Sequence, residues 1–179
     1  MAKIDQACLV IVDIQGTLAQ LMHEKEVLFA QTAILVKVFT ELDMPILWCQ
    51  QVPKALGPTV KPIEVLLSGH RPINKACFSA WLNEEFRTQL INSERSQVVL
   101  CGIESHICVY QTARDLLENG FQVEIVAEAV SSRTPENKAI GLDRIQQIGG
   151  QITSVEMLLF DLLKTADHSA FRALAKLIK

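Results

Sequence analysis

The sequence has no excess of positive charge: 17 lysines and arginines stand against 20 aspartates and glutamates, a net charge of -3. No basic stripe interleaved with aromatics runs along it, so nucleic acid and anionic membrane surfaces are poor partners, and small molecules and other subunits remain. Long hydrophobic runs are also missing. The first apolar stretch, Ala7 to Val12, breaks at Asp13, far short of a membrane span and without a signal-peptide cleavage pattern, so a cytosolic protein is expected. The five cysteines (Cys8, Cys49, Cys77, Cys101, Cys108) are odd in number and have no paired spacing. A disulfide framework is therefore not expected, and most of them read as core filler. There is no internal repeat and no low-complexity tract. No G-x-G-x-x-G follows the first apolar run, which disfavours a dinucleotide enzyme.

What is present is enough for one domain, 1–179: the 179 residues are 49% hydrophobic and 21% charged, and such a chain can bury its own core. A positive mean hydropathy points to an apolar surface covered by other subunits. Short β-branched runs alternate with longer amphipathic stretches, which predicts an α/β fold with a mainly parallel central sheet and helices on both faces. The expected strands are "CLVIVD", "PILWCQ", "QVVLCG", "QVEIVA" and "QITSV". Helices are expected between them, including one from about His106 to Glu118 stopped by Asn119-Gly120, and the tail reads as helical. Between Val52 and Ala80, Pro53, Pro58, Pro62 and Pro72 mark a long irregular excursion, a kind of segment that often carries function. Right-handed crossovers put the carboxyl ends of all parallel strands on one edge, where open α/β folds bind ligands. Asp13, Gln50, Gln51, the stretch Gly102 to Cys108, and Glu128 all fall at or just past such ends.

Within "GIESHIC", Cys108 is expected in the first turn of a helix, where free N–H groups and the dipole favour an anion and lower a thiol pKa. A buried free cysteine is equally a common core residue. His106, two residues away, points to another helix face and reads as packing rather than as a base. Cys101, His106 and Cys108 do not have a zinc spacing. Asp13 ends an apolar strand, where a carboxylate is costly unless paired or placed at a working edge; a turn-capping role is the alternative. Lys75 sits amid apolar residues in "INKACFSAW", although a solvated surface lysine reads equally well.

Taken together, Asp13, Lys75 and Cys108 resemble the isochorismatase-like cysteine hydrolases, the superfamily that includes nicotinamidases and N-carbamoylsarcosine amidase. "LVIVDIQ" resembles the first strand of that family, "NKACFSAW" its lysine loop, and "VVLCGIESHICVYQTARDLLENGFQVEIVAEAVSSR" its nucleophile segment. "QQVPKALGPTV" is similar to the branch with the bacterial YcaC-type and animal isochorismatase-domain proteins. The resemblance implies a three-layer, Rossmann-like α/β/α fold and a homo-oligomer acting on a small molecule. It implies a triad in which Asp13 takes the thiol proton of Cys108 and Lys75 steadies the pair, giving a thioester. It further implies a cis peptide between Ile103 and Glu104, and an oxyanion hole made by the Glu104 and Cys108 N–H groups.

Two departures narrow the reading. The D-x-H...H metal pattern of nicotinamidases is replaced by "WCQQVPKALGPTV", so no catalytic zinc and no other cofactor is expected, and nicotinamide is disfavoured. Isochorismatases that cleave a vinyl ether lack the cysteine, so isochorismate is disfavoured too. Gln50, Gln51, Phe78 and Trp81 are candidates for the substrate pocket. Ser131, Ser132 and Arg133 read as shaping a turn or a subunit contact. The expected function is hydrolysis of a small amide or related C–N bond. Its rivals are a silent oligomeric scaffold of the same fold and a redox sensor pairing Cys108 with Cys77.

Overall fold

The computed structural model describes residues 2–178. Among them, six strands form one sheet: β1 (Ala7–Val12), β2 (Ile46–Gln51), β3 (Ile73–Lys75), β4 (Gln97–Ile103), β5 (Gln122–Ser131) and β6 (Gln151–Thr153). Their order is β3-β2-β1-β4-β5-β6, and every neighbouring pair is parallel. The helices are α1 (Gly16–Gln20), α2 (Lys25–Glu41), α3 (Pro53–Leu56), α4 (Lys61–Glu64), α5 (Glu84–Asn92), α6 (Tyr110–Glu118), α7 (Pro135–Gln147), α8 (Val155–Leu163) and α9 (Phe171–Leu174).

The central strands are apolar throughout because both of their faces are covered. Successive side chains alternate between the two layers. Leu9 and Ile11 of β1 join Leu35 and Phe39 of α2 and Leu158 and Leu162 of α8. Cys8, Val10 and Val12 join Phe86 of α5, Leu116 of α6 and Ile145 of α7 on the other face. Local signals agree with this packing: Asn83, Thr134 and Ser154 accept from the backbone N–H three residues on and cap α5, α7 and α8. No helix among the described residues is long and apolar enough to cross a membrane.

Four features differ from the sequence expectation. The proline-rich excursion contains an edge strand, β3, which pairs Gln51 with Lys75. β5 runs on to Ser131 through a register shift against β4 between Leu100 and Gly102. The segment Ser105–Val109 before α6 is a π-helical turn, in which the Val109 N–H reaches back five residues to the Glu104 carbonyl at 3.2 Å. The tail is broken between α8 and α9, with Lys164 in the left-handed region.

β1 and β4 are neighbours from which the chain winds in opposite directions, so their carboxyl ends border the crevice where such folds hold ligands. Gly102 lies inside β4 rather than in a turn. It has φ +123°, and a Cβ there would stand 2.0 Å from the Val12 carbonyl oxygen; glycine is needed for β1 and β4 to meet at this point. Gly141 in α7 answers a similar demand, since a Cβ would come within 2.7 Å of the Ser105 and His106 backbone. The helix thereby packs directly against the π turn that carries Cys108.

Candidate active site

Three strand ends converge here. Asp13 follows β1 with φ +54°, a conformation aspartate tolerates better than most residues, and its N–H donates to the Cys49 carbonyl of β2 at 3.2 Å. Lys75 closes β3, and Cys108 lies in the π turn after β4. Asp13 is 2% exposed, Lys75 3% and Cys108 8%.

Lys75 Nζ donates to Asp13 Oδ2 at 2.6 Å and to Gln51 Oε1 at 2.7 Å. It also approaches the Cys77 and Phe78 carbonyls at 3.2 Å each. A buried ammonium is tolerable only with its protons and its charge both engaged, and here they are. Asp13 Oδ1 is buried with no hydrogen-bond partner among the described residues, and Asp13 and Cys108 line the same cleft. Burial pushes the Asp13 carboxyl upward against the pull of the Lys75 ammonium.

Cys108 departs from its expectation. Its thiol is pushed up to about 12, first by burial and then by the Asp13 charge, with Lys75 opposing. A helix end is worth up to ~2 kcal/mol, whereas burial of an anion shifts a pKa by as much as about 3–5 units, so burial wins. The resting side chain is a thiol. We expect thiolate absorbance of Cys108 to be absent at pH 7 and to develop only in strong alkali. In Asp13→Asn the charge that raises the pKa is gone, so the midpoint should move down. A midpoint below 8 in the parent would contradict this arrangement.

Cys108 and Asp13 open on a small cleft of about 120 Å³. Leu18, Leu56, Phe78, Ile103 and Ile107 supply its apolar wall, and Gln51 and Glu104 its polar remainder. The Glu104 carboxylate is held by the Arg133 N–H and Nε at 3.2 and 3.1 Å. The Ile103–Glu104 peptide is cis.

The family model for the isochorismatase domain matches residues 7–157. The chain belongs to the isochorismatase family. It is 40% identical over 149 residues to isochorismatase domain-containing protein 2A of mouse, covering 82% of this chain and 70% of that protein. Among solved structures, one described as the MAR1 ribonuclease of Caenorhabditis elegans superposes with a TM-score of 0.93 at 30% identity, over 99% of this chain and 91% of the other. The YcaC product of Escherichia coli, described as an octameric hydrolase of unknown specificity, also gives 0.93, at 21% identity over 99% and 88%. The chain thus has the hydrolase fold of the isochorismatase family.

Within this family fold, the other candidates divide. Gln51 and Phe78 line the cleft. Gln50 does not, because its amide donates to Thr59 Oγ1 at 2.9 Å; adjacent strand residues face opposite sides. Trp81 also lies outside the cleft, packing edge-on against Phe121 at 5.5 Å between ring centroids. Glu128 accepts from the Val155 N–H at the start of α8 at 3.2 Å, and His106 Nδ1 meets Ser132 Oγ at 3.0 Å; both have structural partners. Ser131 binds the His23 carbonyl at 2.6 Å. Cys8, Cys49 and Cys101 are buried, with thiols pushed up by burial. Among the described residues, no three His, Cys, Asp or Glu side chains are grouped to hold a metal ion.

Gln15 escaped the sequence reading. Fully buried, its amide accepts from the Gln51 N–H at 2.6 Å and donates to the Gln51 and Gly57 carbonyls at 3.2 and 2.7 Å. It ties the segment after β2 to the end of β1. Its place in "VIVDIQ" gives no hint of a partner 42 residues away. Gln15→Ala leaves three backbone groups unpaired at roughly 1 kcal/mol each, so a loss of about 3 kcal/mol is expected in urea denaturation; a loss under 1 would mean that the tie is dispensable.

Proposed function

We propose that this chain is a metal-independent cysteine hydrolase of small amides or related C–N substrates, with Asp13, Lys75 and Cys108 as its catalytic residues. The observation that carries the reading is their convergence: a buried Lys75–Asp13 pair at 2.6 Å and a largely apolar cleft onto which both Asp13 and Cys108 open. Lys75 supplies the positive charge that the buried carboxylate needs, and Gln51 is used to hold Lys75.

Because the thiol is protonated at rest, proton transfer accompanies attack. Cys108 Sγ adds to the carbonyl carbon as its proton passes to Asp13. The negative charge that forms on the carbonyl oxygen is received by the backbone N–H groups of Glu104 and Cys108, where each donor is worth about 3 kcal/mol. Asp13 then returns the proton to the leaving nitrogen, the C–N bond breaks, and ammonia or an amine departs from a thioester. Water attacks the thioester with Asp13 as base. The C–S bond breaks, the thiol recovers its proton, and the carboxylic acid leaves.

A cytosolic setting suits five unpaired cysteines. A homo-oligomer is supported by exposed Phe78 at 54%, Leu82 at 61% and Met157 at 60%, and by the octameric description of YcaC. The test is ammonia release across a panel of small amides, with Cys108→Ala as control. Release that depends on Cys108 is expected. Its absence over the whole panel, with native fold and oligomer retained, would favour the scaffold reading instead.

A further inference from the structure

We infer that the acyl group accepted by this site is uncharged, aliphatic and short, with Leu18 and Leu56 setting its length. The inference rests on the hydrolase reading above and names its substrate class.

Size gives the first constraint. The cleft measures about 120 Å³, and an engineered apolar cavity of about 150 Å³ is filled by benzene. The space beside Cys108 therefore suits an acyl chain of about three to five carbons better than an aromatic ring carrying a carboxamide.

Charge gives the second. The two carboxylates at the cleft are each matched by a cation, Asp13 by Lys75 at 2.6 Å and Glu104 by Arg133 at 3.1 Å. Among the described residues, no unmatched lysine or arginine lines the cleft, so a substrate carboxylate would lose its water without gaining a partner there. A substrate cation would find the charge of both carboxylates already balanced. The rest of the lining includes Leu18, Leu56, Phe78, Ile103 and Ile107, which favours hydrocarbon.

Leu56 reaches the cleft by a turn that side chains resist. Val52, with φ +35° and ψ +65°, is a β-branched residue in the left-handed region, a true outlier. It bends the chain off β2 into α3. Gln15 then fixes the far end of α3 through the Gly57 carbonyl at 2.7 Å. Leu18 approaches from α1. Both leucines are only half-buried, so truncating them enlarges the cleft without hollowing the core.

The experiment compares kcat/KM for ammonia release from propionamide, butyramide, isobutyramide, hexanamide, benzamide, oxamate and succinamate. One extra methylene in a filled apolar pocket changes kcat/KM by ~10-fold or more, so hexanamide, benzamide and both anionic amides should fall at least that far below butyramide. Leu56→Ala and Leu18→Ala should move the optimum toward hexanamide. Faster turnover of benzamide or oxamate than of butyramide would overturn the inference, as would an unchanged chain-length profile in both variants. A second measurement needs no turnover: protection of Cys108 from iodoacetamide by aldehydes. Sγ adds to the aldehyde carbon and the thiol proton ends on its oxygen, so nothing leaves. Isobutyraldehyde should protect at least tenfold better than benzaldehyde or glyoxylate. That preference without any amide hydrolysis would sink the hydrolase reading and leave the acyl class standing; the reverse preference would sink the acyl class.

Discussion

Cys108→Ser is expected to lower kcat by about 10⁶-fold for the best amide, at the scale seen when a nucleophile is removed from a catalytic unit, with KM within a factor of two. The substitution changes one atom of the lining and leaves Leu18, Leu56, Phe78, Ile103 and Ile107 as they are, so ground-state binding should persist. What is lost is specific to the reaction. A serine hydroxyl is far less acidic than the cysteine thiol, and Asp13 is a weak base for it despite the upward push of burial on the carboxyl. The thermal midpoint should stay within about 2 °C of the parent, since the side chain is nearly isosteric and the site already contains polar partners. Steady-state ammonia release with single-turnover mixing is the measurement. If KM rose and kcat stayed within tenfold, Cys108 would be a binding residue and the covalent route would be wrong.

The strands that build the crevice were legible because they are buried on both faces. β1 is an uninterrupted run of six buried residues, and β4 one of seven. β3 was not legible, since three residues between Pro72 and Ala76 with the pattern buried, exposed, buried look like any loop. That strand matters, because pairing Gln51 with Lys75 brings the lysine to Asp13, 62 residues away in sequence. Asp13, Lys75 and Cys108 were put forward together by likeness to a family, while composition and spacing left each with a bland alternative. The cleft wall was invisible for a further reason. Leu18 and Leu56 are unremarkable leucines of short helices, and α3 comes beside α1 through the outlying backbone of Val52, the hydrogen bonds of Gln15 and the Gly16 N–H donating to the Pro58 carbonyl at 3.0 Å. The Glu104–Arg133 pair spans 29 residues and leaves no local trace. The burial of the Cys108 thiol was hidden because a helix terminus can be recognised in sequence, whereas the depth at which it is buried cannot.

Lys75→Ala should destabilise the fold by about 3–5 kcal/mol at pH 7, the cost of leaving one partner of a buried ion pair uncompensated. The loss is large because the ammonium serves several acceptors together: Asp13 Oδ2, Gln51 Oε1 and the Cys77 and Phe78 carbonyls. The pH dependence has a definite sign. Lys75 is the largest influence that lowers the Asp13 pKa against burial, so its removal raises the folded-state pKa of Asp13 further above the unfolded value. The folded variant then carries a costly buried charge at any pH above that raised pKa. As pH falls through it, the carboxyl takes a proton and the penalty fades. Lys75→Ala should therefore gain stability relative to the parent on going from pH 7 to pH 5, while the acid limb of any residual activity moves to higher pH because Asp13 must be ionised to act as base. A double variant, Asp13→Asn with Lys75→Met, separates charge from packing. Removing both charges should recover most of the lost stability, as replacement of a whole buried pair often does, and recover none of the activity. Urea denaturation at the two pH values, beside ammonia release, measures both. A Lys75→Ala protein as stable as the parent at pH 7 would show that Asp13 is neutral in the fold, and the catalytic base would have to be sought elsewhere.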